Sequence, residues 1–249
     1  MPNDIVIENQ CSLEKIDSIF APIIEEAISI YRTIFGASVI NIRLLGSVAR
    51  GEAIPYQSEI DFVAILAQDT PSQIEVIETW ENRLRRKYPV VAKVDLEVER
   101  VNNLVEFRRF VFASDSLSLF GSGLYPQQVQ RMDRHQLAEL VTPNLPEIIE
   151  SYQSSVEHID SSNQSSLSFY SRIIGKDILK CFRYAMLMRG GAYERNVTKI
   201  YNQLLDYTPE RQELLHDLHE LYIHPVIDKK KLLDVLNDVR RESEWYRVQ

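Results

Sequence analysis

The pattern of apolar and polar positions divides the chain into a front part where strands alternate with helices and a rear part where only helical spacing recurs. Residues 13–31 read as an opening helix. Residues 40–45 are apolar enough for a buried strand, which breaks at Gly46-Ser47 into a helix of little more than one turn. Residues 58–66 alternate and then turn wholly apolar, as a strand with one partly exposed end would. Residues 72–88 read as an amphipathic helix, with Thr70 as N-cap and Pro71 in its first turn. A strand at 92–99, a helix at 104–113 and a closing extended segment at 115–121 follow. Beyond about residue 126 strand signals fade, and helices are expected at 135–141, 146–159, 168–189, 197–207, 209–223 and 229–244. Between two of them, SSNQSSLS at 161–168 is the one Ser-rich stretch. The fold class is α+β in front and all-α behind.

Two features of the front part carry chemistry. Gly46 lets a ligand approach the backbone closely, and Ser47 can cap the new helix while nearby N–H groups meet a phosphate. On the next strand Glu59 and Asp61 are two apart, so both carboxylates leave one face and Ile60 and Phe62 the other. Neighbouring carboxylates repel unless a cation sits between them, and Mg²⁺ is the hard ion that prefers oxygen ligands and shares its shell with phosphates. One strand later, AKVDLEVE sets Asp95, Glu97 and Glu99 in an acidic row, from which Asp95 or Glu97 can complete the cluster.

Taken together, GSVARG, SEID and VDLEV resemble the polymerase-β-type nucleotidyltransferase superfamily. Within it the chain is most similar to the aminoglycoside adenylyltransferases of the streptomycin/spectinomycin type. The motifs cover residues 44–99. One position departs from the pattern: the first carboxylate is Glu59 where the family usually has Asp, which keeps the charge and moves the oxygens. The resemblance implies a mixed sheet with flanking helices over residues 1–126 as catalytic domain, and a helical domain binding substrate or nucleotide over 127–249. It implies NMP transfer, as AMP from ATP or another NTP, to a hydroxyl of a small acceptor with release of pyrophosphate. Glu59, Asp61 and Asp95 would be the catalytic and metal-binding residues, holding two Mg²⁺. Gly46, Ser47 and Arg50 would bind nucleotide, joined by Lys176, Lys180 and Arg195 from the helical half. Two other readings stay open: NMP transfer to protein or tRNA, and a nucleotide-binding module that kept the fold without the chemistry, a reading to which Glu59 gives weight.

Composition narrows the partners. With 249 residues, 45% hydrophobic and 26% charged, the chain has room for two globular domains. A formal net charge of -8 argues against a broad nonspecific nucleic-acid surface and suits a cationic small molecule. The two cysteines, Cys11 and Cys181, lack metal-ligand spacing, so neither a disulfide scaffold nor a zinc site is expected. The leading MPNDIVIENQ has no basic region followed by an apolar run, and no stretch approaches the roughly 18–20 apolar residues of a membrane span. A cytoplasmic protein with no membrane partner is expected.

In the rear part, Arg172, Lys176, Lys180 and Arg183 form a basic stripe at spacings of three or four along one helix. Arg211 and His216 match the Arg-x4-6-His spacing of HEPN ribonucleases, but about one such match is expected by chance, and they read as helix-surface residues. His216 and His219 lack a third ligand for a metal.

Overall fold

The computed structural model describes residues 4–67, 71–121, 124–125 and 129–242, with the backbone alone for 71–75, 78 and 242. The expected cap Thr70 and the boundary at 126 lie outside the described residues. The described chain divides into two compact units, Val6–Arg131 and the remainder. A short two-stranded sheet pairs β1 (Asp4–Ile7) with β6 (Gln130–Asp133), neither of which stands out in the sequence because each has only four residues.

The first unit holds a four-stranded mixed sheet in the order β4-β3-β2-β5. Its strands are β2 (Val39–Leu45), β3 (Glu59–Leu66), β4 (Lys93–Arg100) and β5 (Ser116–Phe120). β2 runs antiparallel to β3 and β5, and β3 runs parallel to β4 through α3 (Pro71–Lys87). Alternation sorts the side chains. Ile42, Leu44, Ile60, Phe62, Ala64, Val94 and Leu96 pack into one core with Ile23, Ile24, Ala27 and Tyr31 of α1 (Ala21–Phe35). Leu45, Val63 and Ile65 form a second core with Leu104 and with Phe112 of α4 (Glu106–Ser114). Each such apolar side chain taken from water contributes on the order of 1.5–3 kcal/mol. The Tyr31 hydroxyl lies 3.0 Å from the Glu97 carbonyl and 3.3 Å from that of Phe62, so α1 ties β3 to β4 beneath the acidic residues.

Two local readings change. The expected opening helix begins only at Ala21, after 3-10 turns at Leu13–Lys15 and Ser18–Phe20, because Pro22 lacks an N–H and belongs in a first turn. β2 also hides a charge: Arg43 is 1% exposed and faces α4.

The second unit is helical: α5 (Arg134–Val141), α6 (Leu145–His158), α7 (Gln164–Met188), α8 (Val197–Tyr207), α9 (Gln212–Ile223) and α10 (Lys229–Glu242). α7 packs on α5, α6, α8 and α9. It starts inside the Ser-rich stretch, where the Asn163 side chain accepts from the Ser166 N–H and caps the helix. Gly175 lets α9 come close, since a Cβ there would stand 2.3 Å from the Leu218 carbonyl. Cys11 and Cys181 are buried and form no disulfide. Among the described residues no helix is long and apolar enough to cross a membrane.

His219 of α9 gives this unit a pH dependence. Its ring stacks on Tyr201 at 4.1 Å between centroids, and its Nε2 lies 3.2 Å from Thr198 Oγ1. Burial lowers its pKa below the ordinary 6.5, opposed by the Glu220 charge and reinforced by His216 and His224. The unfolded chain therefore takes up the proton first, so this contribution to stability is complete above about pH 6.5 and declines as the pH falls below it. His219→Phe is expected to flatten the fall in melting temperature between pH 7.5 and 5, measured by thermal denaturation against wild type.

Candidate active site

The site forms where three strands end together. β2 brings Leu45 opposite Asp61, and the parallel register of β3 and β4 sets Asp61 level with Asp95 and Glu59 level with Lys93. As a result one carboxylate oxygen from each of Glu59, Asp61 and Asp95 lies within 4.8 Å of the others. Glu59 joins the group despite its extra methylene. Register also decides between the two sequence candidates on β4: Asp95 joins the cluster, whereas Glu97 and Glu99 are both ion-paired with Arg108 of α4. Glu81 of α3 accepts the Leu96 N–H at 2.8 Å and steadies β4 beside Asp95.

Three carboxylates at this separation repel by on the order of 3 kcal/mol per pair at an effective dielectric near 20. Lys93 brings a positive charge to the cluster. Lys93 Nζ sits 2.7 Å from Asp95 Oδ1 and 2.9 Å from Oδ2. Burial works against its charge, but the hydrogen bond to Asp95 and the charges of Asp95, Glu59 and Asp61 outweigh it, and the Lys93 pKa stands above the ordinary lysine value. This residue is absent from the sequence reading, although its place two before Asp95 on an alternating strand puts it on the same face.

Gly46 covers the cluster from the other side. It has φ +74°, a conformation that favours glycine, and a Cβ there would approach Asp61 Oδ2 to 2.9 Å and push that carboxylate aside. It opens α2 (Gly46–Arg50), which Gly51 closes in the left-handed conformation. Ser47 lies inside this helix, not at its cap: Leu45 holds the cap position, and no side chain bonds there. Arg50, expected near nucleotide, has its guanidinium 2.8 Å from Glu52 Oε2 and 2.5 Å from Asp115 Oδ1.

The remaining expected nucleotide ligands belong to the helical unit. Lys176 and Lys180 lie on α7 and are partly exposed, with Lys180 3.7 Å from Asp177. Arg195 stands over the Tyr193 ring at 5.0 Å. The basic stripe is not uniform: Arg183 is buried and donates to the carbonyls of Val141 and Glu194.

The donor set is all oxygen, half-buried and faced by bare glycine backbone, which fits a hard divalent ion such as Mg²⁺ and not a thiol- or imidazole-seeking metal. Among the described residues no other group of three or more His, Cys, Asp and Glu is placed to hold a metal.

Comparison with known proteins bears on the same segment. No curated protein matches the chain. Among solved structures, the spectinomycin adenyltransferase AAD(9) from Enterococcus faecialis, determined with ATP and spectinomycin, aligns at 11% identity over 88% of this chain and 99% of its own, with a TM-score of 0.42. Residues 24–122 match the family model of the nucleotidyltransferase domain. That segment contains the whole four-stranded sheet, the Gly46 turn and all three carboxylates, so the site lies within the part of the chain that is similar to nucleotidyltransferase domains.

Proposed function

We propose that this protein transfers NMP, as AMP from ATP, to a hydroxyl of a small amine-bearing acceptor and releases pyrophosphate, with Mg²⁺ as cofactor. The observation that carries this reading is the convergence of Glu59, Asp61 and Asp95 within 4.8 Å beside the side-chain-free Gly46. Glu59, Asp61 and Asp95 would hold the metal between them. Bound there, Mg²⁺ neutralises triphosphate charge and stabilises the oxygens of an in-line displacement. The backbone at Gly46 and Ser47 receives the phosphates, and the bonds of Arg50 to Glu52 and Asp115 fix the end of that turn. Lys176, Lys180 and Arg195 are the candidate phosphate ligands of the helical unit. An Asp95 oxygen takes the proton of the acceptor hydroxyl as its oxygen bonds to the α-phosphorus. The bond from the α-phosphorus to the bridging oxygen breaks, and pyrophosphate leaves with that oxygen. Positioning and charge stabilisation carry the step, with no covalent enzyme intermediate. The net charge of -8 favours a cationic acceptor.

ATP labelled at the α- or the γ-phosphate, supplied with Mg²⁺ and a mixture of aminoglycosides, tRNA and protein, tests the reading. The α-label is expected on a small product whose mass has grown by one AMP, the γ-label in pyrophosphate, and neither after chelation with EDTA. A γ-label on the acceptor would overturn NMP transfer, and an α-label on tRNA or protein would overturn the acceptor class.

A further inference from the structure

We infer that Lys93 is a built-in counter-ion of the acidic triad, a tethered ammonium that holds the carboxylates together until a divalent cation displaces it, and so sets the affinity for that cation. The inference rests on the reading of the triad as a metal site. Its own ground is geometry. Nζ bridges both oxygens of Asp95, at 2.7 and 2.9 Å, the carboxylate that stands level with Asp61 across the parallel pair. Lys93 itself stands level with Glu59, so the ammonium and the three carboxylates share one end of one sheet face. Its side chain is 47% exposed, which leaves the four-carbon stem free to carry the charge into solvent. A divalent ion on the Asp95 oxygens meets a positive charge already there, and the two cannot share those lone pairs without repulsion. Metal binding is therefore coupled to breaking the Lys93–Asp95 pair, and the apparent affinity is reduced by the stability of that pair.

Mn²⁺ serves as the probe, with free ion counted by electron paramagnetic resonance in wild type, Lys93→Met, Lys93→Gln, Lys93→Arg and Asp61→Asn. Lys93→Met and Lys93→Gln are expected to bind Mn²⁺ about two- to fivefold tighter than wild type, the range for releasing a partly exposed ion pair. In EDTA both are expected to melt below wild type, because Asp95 then loses its ion pair with Lys93. Lys93→Arg keeps the charge and is expected to stay close to wild type in Mn²⁺ affinity. A lysine that merely braces the strand would lower the melting point without tightening Mn²⁺. Equal or weaker Mn²⁺ binding in both neutral variants, with wild type binding normally, overturns the counter-ion role alone. Unchanged Mn²⁺ binding in Asp61→Asn, or none in any protein, overturns the metal reading and this inference with it.

Discussion

Replacing Arg43 with methionine is expected to destabilise the N-terminal unit by about 3 kcal/mol, the scale of two carbonyls left without their buried donor. The guanidinium has five N–H groups to satisfy. Nε donates to Ser116 Oγ at 2.6 Å, Nη1 to Asn41 Oδ1 at 3.1 Å and the Leu124 carbonyl at 2.9 Å, and Nη2 to the carbonyls of Phe112 at 2.9 Å and Tyr125 at 3.3 Å. None of these partners is a carboxylate, and burial alone brings the pKa down to about 10, still charged at neutral pH. Methionine fills much of the volume and relieves the desolvated charge, which offsets part of the loss. It leaves the Leu124 and Tyr125 carbonyls without this donor, and each acceptor stranded in a buried setting costs about 1–3 kcal/mol. Phe112 O fares better, since Ser116 Oγ also donates to it at 2.8 Å. At about 2–4 °C per kcal/mol for a chain of this size, the melting point is expected to fall by roughly 6–12 °C. Arg43→Lys, which keeps the charge but reaches fewer acceptors, should fall between. Calorimetric melting of the three proteins decides, and a methionine variant that melts with wild type would show that these bonds carry no net stability.

Arg43 also marks where reading the sequence reaches its limit. A single arginine in VINIRLL looks like the one outward position of a buried strand, because charged side chains ordinarily face water. What buries it is a ring of acceptors from residues about 70 to 80 positions away, which no local pattern announces. The same distinction runs through the site. Alternation was enough to put Glu59 and Asp61 on one face and to reduce the third carboxylate to Asp95 or Glu97. The choice between them needed the pairing of β3 with β4, which is a property of two strands. The acidic row of Asp95, Glu97 and Glu99 is uniform in the sequence, yet Glu97 and Glu99 are ion-paired with Arg108 from a later helix. Gly46 could be read as a turn residue from its neighbours; its second constraint, the nearness of Asp61 Oδ2, appears only once β2 and β3 are paired. The helices of the rear part were legible to within a few residues because their apolar spacing is sustained over several turns. Where a breaker or a cap decided the boundary, as Pro22 does for α1 and Asn163 for α7, periodicity alone misplaced the start.

The largest effect on activity is expected at Asp61. Asparagine has nearly the same shape and leaves the pairing of Asp61 with Leu45 and Asp95 to the backbone, so β3 should keep its register. What changes is the charge directly beneath Gly46, and with it one of the three anionic oxygens that converge within 4.8 Å. If these groups stabilise charge in the transfer step, losing one lowers the rate at saturating ATP by at least about 100-fold, the scale seen when a single preorganised group is removed. Stability should move the other way. In EDTA two carboxylates repel less than three, while Lys93 still pairs with Asp95, so Asp61→Asn is expected to melt at or slightly above wild type. Activity lost while stability is kept is the signature of groups held together against their own repulsion for a chemical purpose. A purely structural acid cluster would give the opposite pairing, with transfer retained and the melting point altered. The measurement is α-label transfer from ATP alongside melting in EDTA on the same preparations, and a rate within tenfold of wild type would remove Asp61 from the catalytic group.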